Sequence, residues 1–89
     1  MGNIRVLMEG VINILKEKIR VMMVDGAPNA LEWQGRWKVD KIGLHHYYRE
    51  GRRLIHVFGV ISGNLFFRIS FDTDDLSWTL EEVSDGNAC

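Results

Sequence analysis

Cysteine is almost absent from this sequence, with Cys89 as the sole example, so no disulfide can form within the chain and the fold must rest on packing. That scarcity points to a reducing, cytoplasmic setting. Proline is equally scarce, occurring only at Pro28. Long apolar runs are missing too: Val21 to Val24 is among the longest, and a bilayer-spanning helix needs about 18 residues. The sequence therefore predicts no spanning helix. Behind Arg5, the residues Glu9, Gly10 and Asn13 interrupt the first apolar stretch and no small-residue cleavage site follows, which argues against a secretory signal. Charge of one sign is missing locally: residues 72–89 carry six carboxylates and nothing basic.

What is present suits one core. The 89 residues are 46% hydrophobic and 26% charged, which fits a single domain of residues 1–89. The net charge of -1 conceals polarity along the chain: residues 1–35 sum to zero, residues 36–56 to +4, Arg68 adds +1, and residues 72–89 give -6.

Periodicity gives the elements. Ile4, Met8, Val11, Ile12 and Leu15 fit one helical face, while Ile4, Val6 and Met8 also alternate as a strand would, so residues 1–18 read as helix or strand, with helix taken first. From Ile19 alternation takes over, and residues 19–83 read as an antiparallel sheet. A first strand ends at the turn Asp25-Gly26-Ala27-Pro28-Asn29. Ala30 to Gln34 and Arg36 to Leu44 form a hairpin about Gly35, with Trp33 and Trp37 on one face. In the second of these strands the apolar positions pass from odd (Trp37, Val39) to even (Ile42, Leu44), which predicts a bulge near Asp40-Lys41. Arg49 to Arg53 reads as a loop, Leu54 to Ile61 and Leu65 to Phe71 as a hairpin about Ser62-Gly63-Asn64, and Leu76 to Val83 as a last strand with Leu76, Trp78 and Leu80 on one side. Residues 84–89 should fray. The expected fold is mainly β, or α+β if the first segment is helical: an antiparallel meander of about five strands, able to curl into a small open barrel.

The segments Asp25-Gly26-Ala27-Pro28, Glu32-Trp33-Gln34-Gly35-Arg36-Trp37-Lys38-Val39, Tyr47-Tyr48-Arg49-Glu50 and Trp78-Thr79-Leu80-Glu81-Glu82-Val83 carry a resemblance. From about Ile19 to Asp85 the chain resembles a family of small bacterial domains of unknown function, similar to the carboxy-terminal segment of mutasome-type Y-family polymerase relatives. That resemblance implies no catalytic residues. It departs from the family at Gln34, where arginine is usual, and at Asp72 to Ser77, where a basic glycine-containing turn is usual. Both departures remove positive charge.

No catalytic constellation emerges. Glu81 and Glu82, as neighbours on a strand, should point to opposite faces. Ser62, Ser70, Ser77 and Ser84 lie in no nucleophile motif, and Asp72-Thr73-Asp74-Asp75 lacks the central glycine and terminal glutamate of a calcium loop. His45, His46 and His56 lack the spacing and the completing carboxylate or thiolate of a metal site; no metal or cofactor is expected. Two binding readings stay open. The first is a noncatalytic protein-interaction module that could self-associate through exposed strand edges, its acidic carboxy-terminal stretch facing the basic segment either within one molecule or across a dimer. The second is a nucleic-acid-binding accessory domain linked to DNA repair, using Arg36, Lys38, Tyr47, Tyr48, Arg49, Arg52 and Arg53 to neutralise phosphates and stack bases.

Overall fold

The computed structural model describes residues 13–85, and every regular element among them is a strand. These are β1 (Asn13–Val24), β2 (Ala27–Glu32), β3 (Arg36–Lys38), β4 (Lys41–Glu50), β5 (Arg53–Ser62), β6 (Leu65–Asp72) and β7 (Ser77–Asp85). Residues 13–18 belong to β1, so the helical reading fails there; residues 1–12 and 86–89 lie outside the described residues. Pairing decides it: Asn13, Ile14, Glu17 and Lys18 are in register with β7, which overrides the helix preference of Leu15 to Lys18.

All pairings are antiparallel, in one curled sheet of seven strands ordered β3-β2-β1-β7-β6-β5-β4, an open half-barrel. The seven strands are the six segments read from alternation with one of them, Arg36 to Leu44, divided between β3 and β4. Arg36 to Leu44 is not one strand with a bulge. The chain leaves β2 after Lys38 and joins β5 from Lys41, so the odd-to-even shift marks a change of partner. Val39 donates its N–H to the Asn29 carbonyl at 2.9 Å, and the next residue, Asp40, donates to the Ile61 carbonyl at 2.8 Å. Consecutive residues thus bond to opposite margins of the sheet, which forces the sheet to curl. Side chains fasten the crossing: Ser62 Oγ donates to the Lys38 carbonyl at 2.6 Å and the Gly63 N–H donates to Asp40 Oδ2 at 2.8 Å. A true register shift lies three residues on, between Ile42 and Leu44.

Other boundaries differ for local reasons. The first turn is only Asp25-Gly26; Pro28 sits inside β2 beside a register shift, where a missing N–H is tolerated. The expected loop at residues 49–53 is a two-residue reversal, Gly51-Arg52, between Glu50 and Arg53 in register. Gly51 (φ +66°) and Gly63 (φ +60°) each take the first turn position with positive φ, as type II′ hairpins require. Leu76 ends the β6–β7 turn, 71% exposed, instead of facing inward with Trp78.

The core fills the concave face. Leu31, Trp33, Phe58, Val60, Phe67, Ile69, Trp78, Leu80 and Val83 form one buried cluster. Trp33 and Trp37 both pack on Phe67, with ring centroids 5.8 and 5.5 Å away, and Trp37 Nε1 donates to the Trp33 carbonyl at 2.9 Å. Trp33 Nε1 reaches Glu17 Oε1 at 3.1 Å, so both indoles satisfy their polar atom while burying their rings.

Candidate functional site

Strand β4 has a composition and environment unlike any other strand. All ten residues from Lys41 to Glu50 are exposed, and β5 is its only partner strand among the described residues. A strand in a sheet ordinarily buries one face; here both faces carry large side chains into solvent, including Leu44, Tyr47 (66% exposed) and Tyr48 (46%). Among the described residues nothing pairs with the backbone groups of its second edge. The turn at Gly51-Arg52 makes Glu50 and Arg53 the closing hydrogen-bonded pair, so alternation aims the N–H and C=O groups of Arg49, Tyr47 and His45 towards that free edge.

Alternation also sorts the side chains. On the concave side, Tyr47 lies opposite His56 and His45 opposite Phe58, with Arg49 next in line opposite Leu54. Their rings form a row: Tyr47 to His56 is 5.6 Å between centroids, His56 to His45 is 5.4 Å, and His45 stacks on Phe58 at 4.2 Å with planes 6° apart. His45 Nε2 and His56 Nδ1 share a hydrogen bond of 3.2 Å. On the convex side, His46 and Tyr48 border a shallow depression floored by Val57, with Arg68, Ser70, Glu81 and Lys16 around it. Tyr47 and Tyr48 thus serve different faces.

The seven residues read from the sequence as a basic patch separate into three groups. Tyr47, Tyr48, Arg49 and Arg52 stand exposed on β4 and its turn. Arg53 follows them but is committed to the acidic turn, with Nη2 2.6 Å from Asp72 Oδ2 and 4.0 Å from Asp75 Oδ2. Arg36 and Lys38 lie on β3, at the other margin of the sheet order. Arg36 Nη2 contacts Met22 Sδ at 3.3 Å.

The acidic strand pairs within the molecule, in part with cations outside the basic segment. Lys16 Nζ lies 3.3 Å from Glu81 Oε1, and Arg68 pairs with Glu82. A register shift between Arg68 and Ile69 inserts an extra residue into β7, so Glu82 faces Arg68 while Glu81 accepts a hydrogen bond from Ser70 Oγ at 2.7 Å. Ser70 and Arg68 share the convex face, which places both glutamates on that same face, contrary to simple alternation. Each is held by a cation, an arrangement that fixes strands. Asp75 is held below the usual carboxylate range, chiefly by the Ser77 hydroxyl, which donates to Oδ1 at 2.6 Å.

Among the described residues no three His, Cys, Asp or Glu side chains gather as a metal site, and no helix is long and apolar enough to cross a membrane. The all-exposed strand was missed because exposure on both faces has no alternation to reveal it. Comparison of the chain with protein-family models, with curated proteins and with solved structures finds no match.

Proposed function

We propose that this domain is a noncatalytic interaction module that self-associates along the free edge of β4, working in a bacterial cytoplasm. The observation that carries it is the complete exposure of a ten-residue edge strand bearing Leu44, Tyr47 and Tyr48. Isolated edges of this length are normally shortened, bulged away, or charged against pairing. In a two-fold antiparallel pair the strands must match residues of the same parity, because the axis stands perpendicular to the sheet. Centred on Tyr47, the regular run Leu44 to Glu50 places Tyr47 against its copy, His46 against Tyr48, and His45 against Arg49, with no two carboxylates or two permanent cations opposed.

Light scattering coupled to size-exclusion chromatography tests this. The wild-type chain should form a concentration-dependent dimer, and Tyr47→Lys combined with Leu44→Lys should make it monomeric with an unchanged circular dichroism spectrum. A wild-type chain that stays monomeric at high micromolar concentration removes the reading.

A second reading, the accessory domain linked to DNA repair, draws on the row formed by Arg49, Tyr47, His45 and His56, since a cation beside exposed rings suits single-stranded nucleic acid. It requires labelled oligonucleotide binding that falls steeply with salt and with Tyr47→Ala. Binding that ignores both, or none, eliminates it.

A further inference from the structure

A second site lies away from β4, where β1 changes partner. Ile19 is the last β1 residue in register with β7, opposite Trp78, whereas Arg20 to Val24 are in register with β2. Because β7 begins at Ser77, no described strand pairs with the β7 side of Val21 to Val24. The result is an open groove of about 600 Å³, with Leu31 and Trp78 in its walls and with Met22 and Leu76 exposed at its margin. That volume falls within the range of ligand sites.

Its charge is one-sided. Lys18, Arg20 and Arg36 line the groove, with Glu32 the only carboxylate among the lining residues. None of the three cations forms an ion pair among the described residues, whereas Lys16, Arg53 and Arg68 are each matched by the acidic stretch. Lys18 donates to the Ser77 hydroxyl at 2.9 Å with Asp75 nearby in the same turn, Arg36 contacts the Met22 thioether, and Arg20 and Arg36 are left for a ligand. Leu76 is held at φ +57°, a left-handed conformation that bulky residues rarely adopt, and its side chain is left in solvent at the groove's edge. Met22 beside it is an adaptable apolar contact.

We propose that this groove binds an extended acidic segment of a partner protein. The segment continues the sheet along the open side of Val21 to Val24, sets its carboxylates against Arg20 and Arg36, and lays apolar side chains on Met22 and Leu76. Backbone pairing supplies the geometry and the cations select the charge.

Fluorescence anisotropy tests it with a labelled peptide of about eight residues, alternating glutamate and valine, long enough to follow one strand edge. The full chain should bind it, more weakly as salt rises, and should not bind the counterpart with lysine for glutamate. Arg20→Glu with Arg36→Glu should reduce affinity by at least about tenfold, reversing two contacts. Leu76→Asn, which suits the backbone conformation, should weaken binding severalfold while the protein stays folded. Tyr47→Lys should bind as wild type, separating this site from the β4 edge. The proposal is overturned by absence of binding, by equal affinity for both peptides, by a folded double variant that binds normally, by loss of binding in Tyr47→Lys, or by an oligothymidylate that binds the groove more tightly than the acidic peptide.

Discussion

Gly59 illustrates how a single missing side chain permits a packing arrangement. A Cβ there would stand 2.9 Å from the Phe66 ring and 3.2 Å from Leu44 Cβ, so the flat ring covers β5 only because glycine leaves room. Gly59→Ala should destabilise the fold by about 1–3 kcal/mol, the usual range for overpacking, read as a lower urea midpoint at constant m-value. Asp75 offers a second test. Its depressed pKa arises first from the Ser77 hydroxyl, which outweighs the next largest effect, an opposing desolvation, with Lys18, the Ser77 N–H and Arg53 also favouring the charged form. A carboxyl depressed in the folded state contributes stability above its ordinary pKa, and that contribution is lost as pH falls through the folded value. Ser77→Ala should therefore move the Asp75 titration upward towards the ordinary value of about 3.9, as followed by carboxyl NMR. A titration curve unchanged by Ser77→Ala would mean that another group holds the charge.

At the scale of elements, legibility followed locality. The hairpin about Ser62-Gly63-Asn64 could be read because glycine and asparagine sit between two apolar runs, and β5 and β6 pair in unbroken register from Ile55 to Ser62. The β3–β4 crossing could not, because a change of partner and a bulge leave the same odd-to-even trace in Trp37, Val39, Ile42 and Leu44. Arg49 to Arg53 looked like a loop because polarity was taken for irregularity, although two strands meet there at Glu50 and Arg53. Of the candidate binding residues, the exposed quartet Tyr47, Tyr48, Arg49 and Arg52 was recognisable by residue type; the engagement of Arg53 by Asp72 depends on a hairpin folding back, which spacing does not encode. The groove was illegible for a similar reason, since Lys18, Arg36 and Leu76 meet only through the sheet. The crossing makes its own prediction. Asp40→Ala removes the acceptor of the Gly63 N–H and should cost about 1 kcal/mol, a typical net hydrogen-bond contribution. Adding Ser62→Ala should cost more than the two single changes predict, because both bonds fasten the same two margins. Strict additivity in the double-mutant cycle would mean that the two bonds act independently.

For the whole molecule, the order of the strands constrains how the chain reaches its fold. Five of the six pairings join strands consecutive in sequence; only β1 with β7 brings distant segments together, as when Ile19 meets Trp78. Hairpins close short loops at small entropic cost, whereas the β1–β7 seam closes most of the chain. Folding should therefore run through two preformed blocks, β1 to β3 and β4 to β7, with the seam sealing last. Ile19→Ala should then speed unfolding while leaving refolding nearly unchanged, and Ile69→Ala, inside the second block, should slow refolding; stopped-flow chevrons separate the two. The late seam is also where β1 runs on past β7, so the last pairing to form abuts the stretch of strand left open along the groove.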